Sequence, residues 1–210
     1  MVDIYLFRHA HVDYDPPATI TAHNPLTALG HEMAERLAER CDEWDLQYLF
    51  LSTMPRARQT ADAISERFPN VPRMEMPEFR EVCLDHLVDY SGELPEEDLA
   101  SWESDHFAHG NARMWKRVEA GWQRMMDVIA DKDLQRVAVV SHAGPINVML
   151  RQFLGGGVVR LRTCWFELDW ASTSCLRSTP EGRWVRWVND ARHIDALRHR
   201  LSSDKEDDAS

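Results

Sequence analysis

The sequence predicts an α/β protein, a three-layer α/β/α sandwich with a mostly parallel central sheet, helices on both faces and a C-terminal hairpin. Three observations carry this. Short apolar runs at residues 2–7, 48–51 and 136–140 have the length and composition of buried strands. Each runs through a turn into a segment whose apolar residues recur every three or four positions, and alternating strands and helices build a doubly covered parallel sheet. The chain then changes character, with extended stretches at 165–170, 172–178 and 183–188, the last two joined across Pro180-Glu181-Gly182 as a hairpin.

In order, the strand at 2–7 is interrupted once, by Asp3, and gives way at 12–24 to a polar loop carrying Pro16-Pro17. Thr27 is placed to cap a helix over 28–41, where Met33, Leu37 and Cys41 form one stripe with Ala34 and Ala38 beside them. After the strand at 48–51, Ser52 or Thr53 can cap and Pro55 can open a second helix with the apolar face Ala57, Ala61, Ile64 and Phe68. A weak strand is expected at 74–76. Residues 82–112 are the least regular part, read as an excursion or cap over the site with a short helix at 96–103. Trp115, Val118, Trp122, Met125 and Ile129 set a long helix over 112–131, and Pro145 opens another that stops at Gly155-Gly156-Gly157. Residues 1–201 read as a single domain and 202–210 as a disordered acidic tail.

A chain of 210 residues builds one well-buried core and is short for two. Its formal charge of -11 repels polyphosphate backbones, so nucleic acid is not an expected partner. Cys41, Cys83, Cys164 and Cys175 are scattered without a CxxC pair, which suits buried thiols in a reducing compartment. The first apolar run is too short for a signal segment, and no stretch approaches 18 apolar residues, so neither a membrane nor secretion is expected and the location reads as cytoplasmic.

The chemistry-bearing residues sit where strands end and helices begin. Arg8-His9 follows the first strand, Arg56 lies in the first turn after the second, and Ser141-His142 follows the strand at 136–140. Ligands of open α/β sheets settle outside the carboxyl ends of strands, so these groups can converge. A cation in the first turn of a helix faces the positive end of the macrodipole, at a cost of roughly 0.3–1 kcal/mol that a bound anion reverses. Arg56 and Arg58 are about 200° apart on a helix, so at most one serves such a site. Any one of these residues has a bland explanation, as a satisfied histidine or a solvated charge. Together, two histidines, two arginines and the carboxylate of Glu81 form a set in which imidazole attacks, guanidinium holds phosphate and a carboxyl group moves a proton.

Leu6-Phe7-Arg8-His9-Ala10 resembles the RHG/RHA signature of the histidine phosphatase superfamily, the phosphoglycerate mutase-like fold. Further stretches are similar in the same order: Pro25-Leu26-Thr27 to Gly30, Ser52 to Ala61 like S-P-x-x-R-A-x-Q-T-A, Arg80-Glu81, and Val139-Val140-Ser141-His142-Ala143-Gly144. The ending Trp187 to Ile194 is similar to the family's closing strand and N-D-x-x-H-L, so the resemblance spans residues 2–195. It implies His9 as phosphorylated nucleophile, Arg8, Arg56 and His142 as the phosphate pocket with His142 a cation, and Glu81 as proton donor. No metal or cofactor is implied, because the cations are side chains.

Two departures stand out. Asp15 occupies the position, six after the nucleophile, where the family often carries a phosphate-binding Asn, and the residues after Glu81 keep none of the family's D-F-G-x-W-E-G. The implied activity is a phosphatase that hydrolyses a small phosphomonoester through a phosphohistidine. The alternatives are a bisphosphoglycerate-dependent mutase and a non-catalytic module that binds a phosphorylated ligand. A binding module has no use for both a nucleophile and a proton donor, and a mutase needs extra cations, whereas residues 82–112 contain eight acids and no Lys or Arg. If those acids line the mouth, neutral or amine-bearing phosphomonoesters are preferred over bisphosphates.

Overall fold

The computed structural model describes residues 1–13, 23–81, 102–155 and 165–200, with side chains described for all of these except 102–112. Asp15, Cys83, Cys164, residues 82–101 of the expected excursion and the expected acidic tail lie outside the described residues.

Six strands form one sheet in the order β3-β2-β4-β1-β5-β6. β1 (Val2–Arg8), β2 (Tyr48–Leu51), β3 (Arg73–Glu75) and β4 (Arg136–Ser141) are mutually parallel where they pair, and β5 (Thr173–Thr179) and β6 (Gly182–Asp190) complete the sheet as an antiparallel hairpin. The continuous apolar runs follow from covering both faces. Tyr5, Phe7, Leu49, Leu51, Ala138 and Val140 face one cluster with helices α1 (Ala28–Arg40) and α2 (Pro55–Arg67). Ile4, Leu6, Phe50, Val137 and Val139 face the other with α3 (Trp102–Asp131) and α4 (Ala143–Phe153), which gives the three layers. Asp3, the interruption in β1, sits opposite Arg177 of β5 and takes a two-pronged ion pair at 2.6 Å on each oxygen.

Thr27 caps α1 as expected, its Oγ1 accepting from Gly30 N–H at 3.0 Å. Gly30 is required by close approach, since a Cβ there would lie 2.2 Å from the His11 carbonyl oxygen. Three expectations are corrected. The long helix begins at Trp102, so residues 102–112 of the expected excursion, and the end of the expected short helix, are helical; this stretch has no proline, and an interior Gly110 costs only about 1 kcal/mol against Ala. Residues 165–170 are not a strand; Asn147 of α4 takes both backbone groups of Phe166, accepting from its N–H at 2.7 Å and donating to its oxygen at 3.0 Å, which removes them from any ladder. Helix α2 has Met54 as its N-cap with no side-chain cap, because Ser52 turns to His142 instead. Among the described residues no helix is long and apolar enough to cross a membrane. Cys41 and Cys175 are free and buried, and burial pushes both thiols up, Cys175 to about 12.

Candidate active site

The register of the central strands sets the site. Arg8 pairs with Ser141 across β1 and β4, and Leu51 pairs with Val140, so three strands end side by side. The ladder continues one step further, with His9 N–H donating to Ser141 O at 2.9 Å and Ser52 N–H to Val140 O at 2.9 Å. His9, Ser52 and His142 therefore emerge together, all buried.

His9 Nδ1 lies 2.8 Å from the Ala10 carbonyl oxygen, which only accepts, so this nitrogen carries the proton and Nε2 keeps its lone pair. Burial, then the charges of Arg56 and Arg8, hold the imidazole well below its ordinary range and therefore neutral. The His142 ring meets it edge-on with centroids 4.9 Å apart. Ser52 Oγ accepts from Met54 N–H at 3.3 Å and lies 2.8 Å from His142 Nε2. In the tautomer where the hydroxyl donates to Nε2, the ring proton sits on Nδ1, a buried atom with no hydrogen-bond partner among the described residues. Burial, then His9 and Arg56, hold the His142 imidazole well below its ordinary range as well. An anion between the two arginines works in the opposite direction and favours the charged ring.

Arg56 enters from the first turn of α2, opened by Pro55, and its side chain is completely buried with Nη2 3.6 Å from Met54 Sδ. Thr60 fixes that turn to the nucleophile loop, donating to Arg56 O at 2.8 Å and accepting from Ala10 N–H at 3.0 Å. Arg58 lies on the other side of the helix, exposed and paired with Glu75 at 2.7 Å, as the 200° separation requires. The Arg8 guanidinium lies over the Trp170 ring, its Cζ 3.6 Å from the centroid, and donates to Leu168 O at 2.5 Å.

Glu81 reaches the N-terminus of α4, where a carboxylate oxygen accepts from Gly144 N–H at 2.9 Å. A Cβ at Gly144 would stand 2.3 Å from a Glu81 carboxylate oxygen, so a larger residue there would displace the Glu81 side chain. The segment leading to Glu81 is held by Arg117 of α3, which donates to the carbonyls of Pro77, Glu78 and Arg80 at 3.1, 2.9 and 2.7 Å, and by Ser141 Oγ, which donates to Phe79 O at 2.8 Å.

Arg8, His9, Arg56, Glu81 and His142 are thus gathered around the carboxyl ends of β1, β2 and β4 and the starts of α2 and α4. Chemically the arrangement offers a neutral imidazole with a free Nε2, two guanidiniums, an N–H on His142 and a carboxylate at the rim. Ser52, Arg117, Leu168 and Trp170 were not singled out by sequence reasoning. Ser52 was legible as a possible cap and as the first residue of the Ser52–Ala61 similarity; Arg117 and Leu168 act upon or through backbone atoms that carry no residue-specific signal, and Trp170 acts through a ring brought to Arg8 from far along the chain.

Residues 4–191 match the family model described as Histidine phosphatase superfamily (branch 1). A Schizosaccharomyces pombe protein named "Probable phosphatase" is 26% identical over 153 residues, 72% of this chain and 73% of that protein. "Probable phosphoglycerate mutase GpmB" of Enterobacter sp. (strain 638) is 24% identical over 213 residues, covering 93% of this chain and 96% of the relative. Among solved structures, Bacillus stearothermophilus YhfR superposes with a TM-score of 0.73 at 20% identity, covering 93% of this chain and all of that one, and shares the fold.

Proposed function

The chain belongs to the histidine phosphatase superfamily, branch 1, and on that footing we propose that it hydrolyses small phosphomonoesters through a phosphohistidine at His9, with no metal ion. The observation that carries the reading is the His9 tautomer: Nδ1–H bonded to the Ala10 carbonyl leaves Nε2 unprotonated, and burial, then the charges of Arg56 and Arg8, favour that neutral ring. A nucleophile must be neutral and aimed, and this one is both.

In the first step Nε2 attacks phosphorus and the bond to the leaving oxygen breaks, while the Glu81 carboxyl group gives its proton to that oxygen. Arg8, Arg56 and His142 Nδ1–H take up the charge on the three equatorial oxygens, where preorganised donors act most strongly. In the second, water attacks the phosphohistidine, Glu81 takes its proton, the phosphorus–nitrogen bond breaks, and inorganic phosphate leaves with His9 neutral again.

The test is release of inorganic phosphate from p-nitrophenyl phosphate and a panel of small phosphomonoesters in the presence of a chelator, with trapping of an acid-labile, alkali-stable phosphoenzyme. Wild type should turn over and trap phosphate, and His9→Ala should do neither while remaining folded. Activity near wild type in His9→Ala would refute the assignment. Mutase activity with bisphosphoglycerate and no hydrolysis would place the chain with its mutase-named relatives.

A further inference from the structure

The segment 166–172 makes no strand and no helix, yet it supplies three contacts to Arg8. Leu168 O accepts from the guanidinium, the Trp170 ring lies beneath it, and Ser172 O accepts from Arg8 N–H at 3.1 Å. Ala171 N–H donates to His9 O at 3.2 Å, so the same segment also touches the nucleophile. Its conformation is not one the sequence favours. Ala171 is left-handed, with φ of 51°, and a non-glycine residue there costs roughly 1–2 kcal/mol. Such a residue persists where its surroundings over-determine it.

Side chains from elsewhere do so. Asn147 of α4 holds Phe166 by both backbone groups. Asn189 at the end of β6 accepts from Asp169 N–H at 2.7 Å through Oδ1 and donates through Nδ2 to the Asp169 carboxylate at 3.1 Å. His193 Nε2 donates to Ala171 O at 3.0 Å. Asn189 is itself left-handed, with φ of 59°, which asparagine tolerates better than most residues and which turns its amide back onto the segment. Asn189 and His193 belong to the closing motif, for which phosphate chemistry offers no direct task.

We propose that Asn189 and His193 are positioning residues for Arg8, pinning segment 166–172 so that the Leu168 carbonyl and the Trp170 ring aim the guanidinium at the phosphoryl group. The inference rests on the proposed phosphatase reading for what Arg8 binds, but not for how Arg8 is held. Neither residue contacts the reacting atoms. Their loss should act on phosphate affinity through Arg8 and leave proton transfer at Glu81 alone.

Asn189→Gly keeps the left-handed backbone and removes only the amide. With inorganic phosphate as the probe, calorimetry should show it binding about tenfold more weakly, the value of roughly 1.4 kcal/mol of lost hydrogen bonding, and less than about twofold more weakly when Arg8→Ala is already present. Backbone hydrogen exchange at Asp169, Ala171 and Arg8 should accelerate about tenfold in the same variant. His193→Leu should behave alike, while His193→Gln, whose amide nitrogen reproduces the Nε2 donor, should stay near wild type; this pair decides the matter if Asn189→Gly does not fold. Equal losses of affinity with and without Arg8, or unchanged exchange at Ala171 and Arg8, would overturn the proposal. If wild type binds no phosphate, the phosphatase reading falls instead, and the exchange measurement alone decides whether the segment holds Arg8.

Discussion

Lowering the pH should cost this protein stability earlier than it costs most proteins, and phosphate should oppose the loss. His9, His142 and His193 are held below their ordinary range, each chiefly by burial. Unfolded, each takes up a proton near pH 6.5; folded, each stays neutral to lower pH. The unfolded state therefore binds more protons as pH falls through about 6.5, so stability is full above that value and is lost below it. Between about pH 7.5 and about pH 5.5, one histidine that stays neutral in the folded state contributes a loss of about 1.4 kcal/mol, so His9 and His142 together contribute about 3, and His193 adds a smaller share of the same sign. That is a large share of the 5–15 kcal/mol typical of a domain. Asp190, held at about 2 by Arg192, titrates too low to interfere in this window.

Urea unfolding at the two pH values measures the difference directly. Phosphate should shrink it, because an anion beside His9 and His142 favours their charged forms and binds the folded state alone. Replacing both residues by asparagine should reduce the loss to the share of His193, less than about 1.4 kcal/mol. Stability flat to within about 1 kcal/mol over the window, or an undiminished loss in the double variant, would refute the assignment of buried neutral imidazoles.

Three substitutions test the remaining roles. Arg56→Ala should lower kcat/KM for p-nitrophenyl phosphate by about 100-fold to 1,000-fold, as removal of a preorganised donor does, whereas Arg58→Ala removes an exposed ion pair with Glu75 and should change activity and stability little. Equal losses in steady-state assays would mean that the wrong face of α2 serves the pocket. Glu81→Gln should slow alkyl phosphates far more than p-nitrophenyl phosphate, whose leaving group scarcely needs a proton; a uniform loss across leaving groups would assign the acid to another residue.

The legible part of this protein is the part in which chemistry and local structure coincide. Strands β1, β2 and β4 declare themselves because both sheet faces are covered, so Ile4, Leu6, Phe50 and Val139 are apolar without alternation. Arg8, His9, Arg56 and His142 are visible because each stands at the junction where such a run ends. The contrast between Arg56 and Arg58 followed from helical geometry alone. Less legible were the elements that depend on partners distant in sequence. Residues 165–170 have the apolar and aromatic content of a strand, and nothing local announces that Asn147 will occupy the backbone of Phe166. The start of α3 at Trp102 was hidden because the apolar stripe that marks the helix in the sequence begins only at Trp115.

The held conformation of segment 166–172 answers a problem of orientation. Asp3 fixes Arg177 and Glu75 fixes Arg58 through carboxylates, which place a guanidinium by opposite charge. At Arg8 the Leu168 carbonyl and the Trp170 face take part in that placing, a dipole and a quadrupole that direct the guanidinium and add no opposite net charge of their own. Backbone oxygens can be aimed only by bending the chain, so Ala171 is left-handed and needs pins from β6 and beyond. Burial, then the charges of Arg56 and Arg8, hold the His9 imidazole down, so on the proposed positioning role the closing residues of the chain bear, through Arg8, on the histidine at its beginning.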